Sequence, residues 1–191
     1  MLNKSVQEPV DKMHGSIFVF LKRFVEKNYD HSTWLNLLSA AGVQNTSYEM
    51  HEMYPTQEIY NIVGAASAAT GISAVELQES FGEFLVPDLL LIYKKYISPS
   101  WRTYEMLLYT ESAMHSAVRK EDSRTSPPVL LVTKVGNKRL MIDYYSKRRM
   151  GPVAIGIIKG IAKYYNEQDK VKVQSLTAPN EERVQIAVDF E

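Results

Sequence analysis

The sequence predicts an α+β fold in which helices come first and a small antiparallel sheet follows. Three observations carry this. Up to about residue 120, apolar residues recur at helical spacing between recognisable caps and stops. After Pro127 and Pro128 the pattern changes to β-rich runs joined by turn residues. No internal repeat or low-complexity segment interrupts that order.

Residues 1–12 are polar, contain Pro9 and read as a short leader; residues 13–191 read as a single domain. "MHGSIFVFLKRFVEKNY" predicts a helix, with Ile17, Phe20, Leu21, Phe24 and Val25 along one face. "DHSTWLNLLSAAG" predicts a second, capped by Asp30 or Ser32 and ended by Gly42. After the loop "VQNTSYEMHEMYP", "TQEIYNIVGAASAATG" starts at Thr56 and stops at Gly71. "ISAVELQESFGEFLVP" opens on a capping box, Ser73 with Glu76. A long helical stretch from about Leu89 to Lys120 is broken or bent near Pro99. "SPPVLLVTKVGNKRLMIDYYSKR" then holds two β-rich runs separated by Gly-Asn. "GPVAIGIIKGIAKYYNEQ" resembles a helix with a glycine-lightened face, and "KVKVQSLTAPNEERVQIAVDF" alternates as a second hairpin.

Composition removes several classes of function. The 191 residues carry 22 basic and 22 acidic side chains, so no general field draws the chain toward nucleic acid or membrane. Hydrophobic residues make up 45% and charged residues 23%, as in a water-soluble globular protein. No apolar run approaches the ~18 residues of a membrane span. The N-terminus lacks a signal-peptide core. There is no cysteine, which excludes disulfides, thiolate metal sites and thiol redox chemistry. A cytoplasmic protein fits this profile. No signature of the commoner hydrolases or nucleotide-binding loops is present either.

Four histidines remain: His14, His31, His51 and His115. None forms an H-x-x-x-H pair, which argues against a zinc enzyme. His31 beside Asp30 reads as an exposed neighbour of a helix cap, and His51 falls in a loop. His115 shares a helical face with Leu108, Glu111 and Ser112 and flanks Met114 and Val118. Spacing leaves two readings open. It is a half-buried histidine satisfied by a carbonyl, or the single axial ligand of an iron porphyrin, which needs one neutral imidazole on a rigid helix.

"IDYYSKRRMGP" poses a matching question. Read as the end of a strand, it puts Tyr144, Ser146 and Arg148 on one face and Tyr145, Lys147 and Arg149 on the other. An ordinary edge strand guarded by charge is one reading. The other is a haem, whose two propionates need charge-assisted donors: a bidentate Arg148 and the hydroxyls of Tyr144 and Ser146.

Tyr144, Ser146 and Arg148 spell Tyr-x-Ser-x-Arg, and on this motif the chain resembles the H-NOX family, the haem–nitric oxide/oxygen binding domains. "MHGSIFVFLKRFVEKNY" resembles that family's opening helix and "TWLNLLSAAG" its second. "YPTQEIYNIVGAASAATGISAVELQESFGEFL" looks like its central helical pair, and "AMHSAVRK" falls where the family carries its proximal histidine. Pro127-Pro128 precedes the first strand as in relatives. The resemblance covers roughly residues 13–191.

The resemblance implies a helical distal part, a proximal part with a long helix and a small sheet, and haem b between them. It passes iron ligation to His115, propionate binding to Tyr144, Ser146 and Arg148, and pressure on the porphyrin to Pro128. Ile17, Leu21, Leu85 and Ile157 occupy positions that face the distal side in relatives. Val153 stands where oxygen-binding relatives carry a tyrosine. One departure is Ser112, where relatives often have an aspartate. The implied function is a gas sensor, not an enzyme: it binds nitric oxide and carbon monoxide, excludes oxygen, and signals through the iron–histidine bond. Family members with a cyclase domain need a longer chain than 191 residues, so the stand-alone bacterial type is expected, acting on a separate histidine kinase or diguanylate cyclase. A haem-free scaffold or interaction module keeping the same fold is the alternative.

Overall fold

The computed structural model describes residues 10–191; the predicted leader lies outside the described residues up to residue 9, and its end at residues 11–12 belongs to the fold instead, Asp11 bonding to Thr56 and Lys12 opening a strand. The chain divides into two compact units, the first ending at Ala65 and the second running from Ala66 to Glu191.

In the first unit, β1 (Lys12–His14) pairs antiparallel with β2 (Met53–Pro55), Met13 opposite Tyr54. This pairing was not legible as a strand, and it moves the start of the first helix from Met13 to Gly15. α1 (Gly15–Asn28) starts on His14, whose Nδ1 accepts from the Ser16 N–H at 3.4 Å. α2 (His31–Ala40) is capped by Asp30, which accepts from the Thr33 N–H at 2.7 Å. Ser32, the other candidate cap, instead donates its hydroxyl to Asp30. Phe18 stacks on Tyr48 at 4.5 Å, with Trp34 and Tyr54 edge-on to Tyr48. Tyr48 donates to Glu58 at 2.7 Å, and burial together with that carboxylate pushes its pKa far up. α3 (Thr56–Thr70) begins here, its Thr56 N–H bonded to the Asp11 carbonyl at 2.9 Å.

In the second unit, α3 stops where Gly71 turns left-handed at φ 73°, a conformation that costs a side-chain-bearing residue. α4 (Ala74–Ile92) carries the predicted capping box, with both Ser73 and Glu76 bonds present. It does not end at Pro87. The proline costs a helix interior ~3 kcal/mol, yet Val86 and Leu90 on either side are buried in the main core and keep the helix running. The helical stretch predicted from about Leu89 to Lys120 is broken near Pro99 as expected: a single 3₁₀ turn (Lys94–Tyr96) and a non-helical stretch at Pro99 separate α4 from α5 (Thr103–Tyr109). A π-helical turn (Thr110–His115) leads from α5 into α6 (Ser116–Glu121).

β3 (Val129–Val135), β4 (Arg139–Tyr145), β5 (Val171–Ser175) and β6 (Arg183–Phe190) form one antiparallel sheet in the order β3-β4-β6-β5. The β3–β4 loop takes in Lys138 as well as the predicted Gly-Asn, since Val135 pairs with Arg139. Leu140, Ile142 and Tyr144 oppose Val188, Ile186 and Val184 on the inner face, all buried. α7 (Gly151–Tyr164) lays Ile155, Ile158 and Ile161 into the same core. Each such side chain contributes ~1.5–3 kcal/mol on burial.

The glycines of α7 are its contact surface with α4. A Cβ on Gly156 would lie 2.0 Å from the Glu79 carbonyl, and one on Gly82 2.2 Å from the Val153 carbonyl. One on Gly160 would meet a Val86 methyl at 2.6 Å. Lys159 and Glu79 close the contact with a 2.6 Å ion pair. Gly156→Ala is therefore expected to destabilise the protein by at least about 1–3 kcal/mol. Gly64→Ala, on exposed helix with nothing within 4 Å, should stabilise it by ~0.4–1 kcal/mol. Urea unfolding followed by circular dichroism separates the two signs; equal effects would show that the α4–α7 contact can yield.

Candidate functional site

Strand alternation cannot place Ser146 and Arg148, because β4 ends at Tyr145. A turn does so instead. The Ser146 N–H bonds to the Glu182 carbonyl at 2.8 Å, and the Arg149 N–H returns to the Ser146 carbonyl at 3.1 Å. The Arg148 N–H is held by the Ser146 hydroxyl at 3.2 Å, a local serine turn. Arg149 takes the strained left-handed conformation, φ 49°. The predicted sidedness nevertheless survives in burial. Tyr144 is buried and Ser146 and Arg148 are half-buried, while Tyr145, Lys147 and Arg149 are exposed. Arg149 turns outward to Glu182 at 3.2 Å. Burial raises the Tyr144 pKa, against the pull of Ser146, the Met150 backbone and the nearby Arg148 charge. The Arg148 guanidinium donates to the Ser126 carbonyl at 2.6 Å.

His115 closes the π-helical turn with its side chain 16% exposed. Nδ1 stands 2.9 Å from Glu111 Oε2, and the Pro128 backbone lies beside the ring. Burial lowers the imidazole pKa despite the Glu111 carboxylate beside it, which favours the neutral ring. Neutral imidazole is the form that can ligate a metal. Ser112 does not reach the ring; its hydroxyl donates to the Tyr109 carbonyl at 3.3 Å.

Two of the predicted groups therefore meet at one short segment. Arg148 donates to it at Ser126, and His115 lies beside it at Pro128. Val129 then opens β3 directly opposite Tyr145, with Leu130 opposite Tyr144. His115, Pro128, Tyr144, Ser146 and Arg148 thus gather at one corner of the second unit. Leu85 is buried on α4, and Val153 and Ile157 are half-buried on α7, whose backbone there abuts Gly82. Ile17 and Leu21 lie on α1 in the first unit, the former half-buried and the latter buried. Among the described residues no group of three or more His, Asp or Glu could hold a metal ion. An open cavity of about 330 Å³ beside Arg102, Tyr104 and Glu167 contains none of the predicted residues.

Glu111 is the residue that sequence reasoning left without a role. It accepts from His115 and from the Leu130 N–H at 3.0 Å through Oε2, and from Arg119 at 2.7 Å through Oε1. Its spacing four before His115 was visible; the bond from Leu130, far along the chain, was not.

A family model described as haem-NO-binding matches residues 14–173. The chain belongs to the haem-NO-binding family. The fold is that of H-NOX proteins. An H-NOX protein from S. oneidensis in the Fe(II)NO state superposes with a TM-score of 0.84 at 20% identity, covering 94% of this chain and 99% of that one. The Fe(II) unliganded H-NOX protein from K. algicida gives 0.81 at 18% identity, covering 94% and 97%. Soluble guanylate cyclase 89Db of Drosophila melanogaster is 23% identical over 155 residues, 80% of this chain. The H-NOX chain spans only 23% of that cyclase's length. No helix among the described residues is long and apolar enough to cross a membrane.

Proposed function

We propose that residues 13–191 act as one haem-binding domain that senses nitric oxide and signals to a separate protein. The observation that carries this reading is the meeting at residues 126–128, where the candidate propionate arginine donates to Ser126 and the candidate iron ligand lies beside Pro128. The donor set fits haem b. Haem would ask the protein for a single imidazole ligand, which His115 would supply, burial favouring its neutral form. Its propionates ask for charged and hydroxyl donors beside that imidazole, which Tyr144, Ser146 and Arg148 provide. When bound, haem supplies the ferrous iron at which a diatomic gas coordinates.

The chain's own residues set orientation and selectivity. Burial favours the neutral form of His115, and Glu111 holds its Nδ1. Pro128 sits against the imidazole. Ile17, Leu21, Leu85, Val153 and Ile157 carry no hydrogen-bond donor in their side chains. Tyr164 at the end of α7 and Tyr165 just after it pack edge-on with ring centroids 5.2 Å apart, and Tyr165 lies under the Arg102 guanidinium. Bound oxygen depends on a distal donor far more than nitric oxide or carbon monoxide does, so this residue set favours those two gases and excludes oxygen. Output through a histidine kinase or a diguanylate cyclase is the partner chemistry this reading expects, with no catalytic step in the chain itself.

The first test is an absorbance spectrum of the purified ferrous protein. An intense Soret band supports the reading; its absence after haem reconstitution would leave a haem-free scaffold. His115→Gly should lose haem, and added imidazole should restore it. Wild-type spectra from the glycine variant without imidazole would remove His115 from the iron.

Arg148→Ala should weaken haem retention roughly tenfold or more relative to Arg149→Ala, because a bond to a charged group is worth ~1.5–3 kcal/mol. Competition for haem by an apo-globin measures the ratio. Equal losses would cancel the propionate assignment.

In air, the ferrous wild-type protein should give no stable oxygen-complex spectrum, and Val153→Tyr should raise oxygen affinity at least about tenfold by adding a hydrogen-bond donor. A stable oxygen complex of the wild type would sink the selectivity argument.

A further inference from the structure

The carboxylate of Glu111 makes more directed bonds than a surface glutamate needs. One oxygen takes the His115 Nδ1 at 2.9 Å and the Leu130 backbone N–H at 3.0 Å; the other takes Arg119 at 2.7 Å. Burial opposes its charge, and the donors from His115, Arg119 and Leu130 outweigh burial and hold its pKa below the usual range. The three partners sit on three different elements: the π-helical turn, α6 and the edge strand β3. A metal-bound histidine needs its second nitrogen fixed by an acceptor, which sets the tautomer and the ring plane and raises the basicity of the ligating nitrogen. The aspartate that H-NOX relatives often carry is replaced here by Ser112, and Ser112 bonds to its own helix instead.

We propose that Glu111 is the positioning residue of His115, holding Nδ1 so that Nε2 would be the nitrogen left to ligate haem iron, and that it ties the imidazole to strand β3 through the Leu130 amide. This rests on His115 being the haem ligand. A displacement of His115 along or across its helix must then stretch the carboxylate's bond to Leu130 or carry the strand edge with it. The π-helical form of the turn contributes, since it is a wide, less stable turn that can tighten to α-helix. Arg119 keeps the carboxylate turned toward His115 by occupying the opposite oxygen.

The test compares wild type with Glu111→Ala and Glu111→Gln, all loaded with haem, and with the same three proteins before loading. In the loaded ferrous proteins the iron–histidine stretching band should shift downward in Glu111→Ala, with Glu111→Gln in between because a neutral amide oxygen is a weaker acceptor. In the unloaded proteins the Leu130 amide should exchange hydrogen about tenfold or more faster in Glu111→Ala, since its charged acceptor is gone. Glu111→Gln should recover most of that protection. An unshifted stretching band in a variant that still binds haem through His115 would overturn the proposal. So would an unchanged Leu130 amide. Loss of His115 ligation itself is read separately, from the glycine variant and its rescue by imidazole, so failure of the haem reading is not confused with failure of this one.

Discussion

Everything in the second unit is registered by the close crossing of α4 and α7. Helices normally pack with axes ~8–10 Å apart, kept there by side chains. Here Gly82, Gly156 and Gly160 remove those side chains at the points of contact, and backbone meets backbone. That approach lets Val86 and Leu90 of α4 enter the same core as Ile155, Ile158 and Ile161 of α7, and that core also holds the inner face of the sheet. Met106 and Leu107 of α5 belong to it too, so the helix leading to His115 is positioned by the same packing. Pro87 is tolerated inside α4 for this reason. The burial on either side of it outweighs a missing hydrogen bond.

Much of this was legible from residues alone. Capping chemistry is local, and Asp30, Ser73 and Glu76 did what their spacing announced. The β-rich runs and the helix between them were also visible, because alternation and helical periodicity are properties of neighbouring residues. The glycines of α7 were read as weakening a helix, which is their intrinsic effect. Only the partner helix, distant along the chain, turns them into a contact surface. The same limit hid β1 and β2, three residues each, which depend on one another for their hydrogen bonds.

The candidate site shows a sharper version of that limit. Alternation correctly sorted Tyr144, Ser146 and Arg148 from their neighbours by burial, although the strand stops before Ser146. The turn preserves sidedness by other means: a serine hydroxyl under the Arg148 N–H, a left-handed Arg149 and an anchor to Glu182. Ser126 and Leu130 could not have been found from sequence, since each takes part through its backbone, where residue identity leaves no mark.

The two halves of the corner differ in stiffness, and this bears on sensing. Tyr144 rises from β4, a central strand bonded on both sides and backed by α7. His115 rises from a π-helical turn between two short helices, beside β3, an edge strand whose outward residues Val129, Leu131 and Val135 are exposed. Elements with few buried contacts and exposed hydrogen bonds open at lower free energy than a core strand. A pull on His115 therefore meets the compliant side, while Tyr144 lies on the rigid core strand and the turn that carries Ser146 and Arg148 follows directly on it. A sensor needs that asymmetry. If both sides yielded, a ligand-induced strain would dissipate as a shift of the whole group; if neither did, it would never leave the iron. Glu111 lies on the compliant side, bonded at once to the histidine and to the strand edge, which makes it the place where displacement of one becomes displacement of the other.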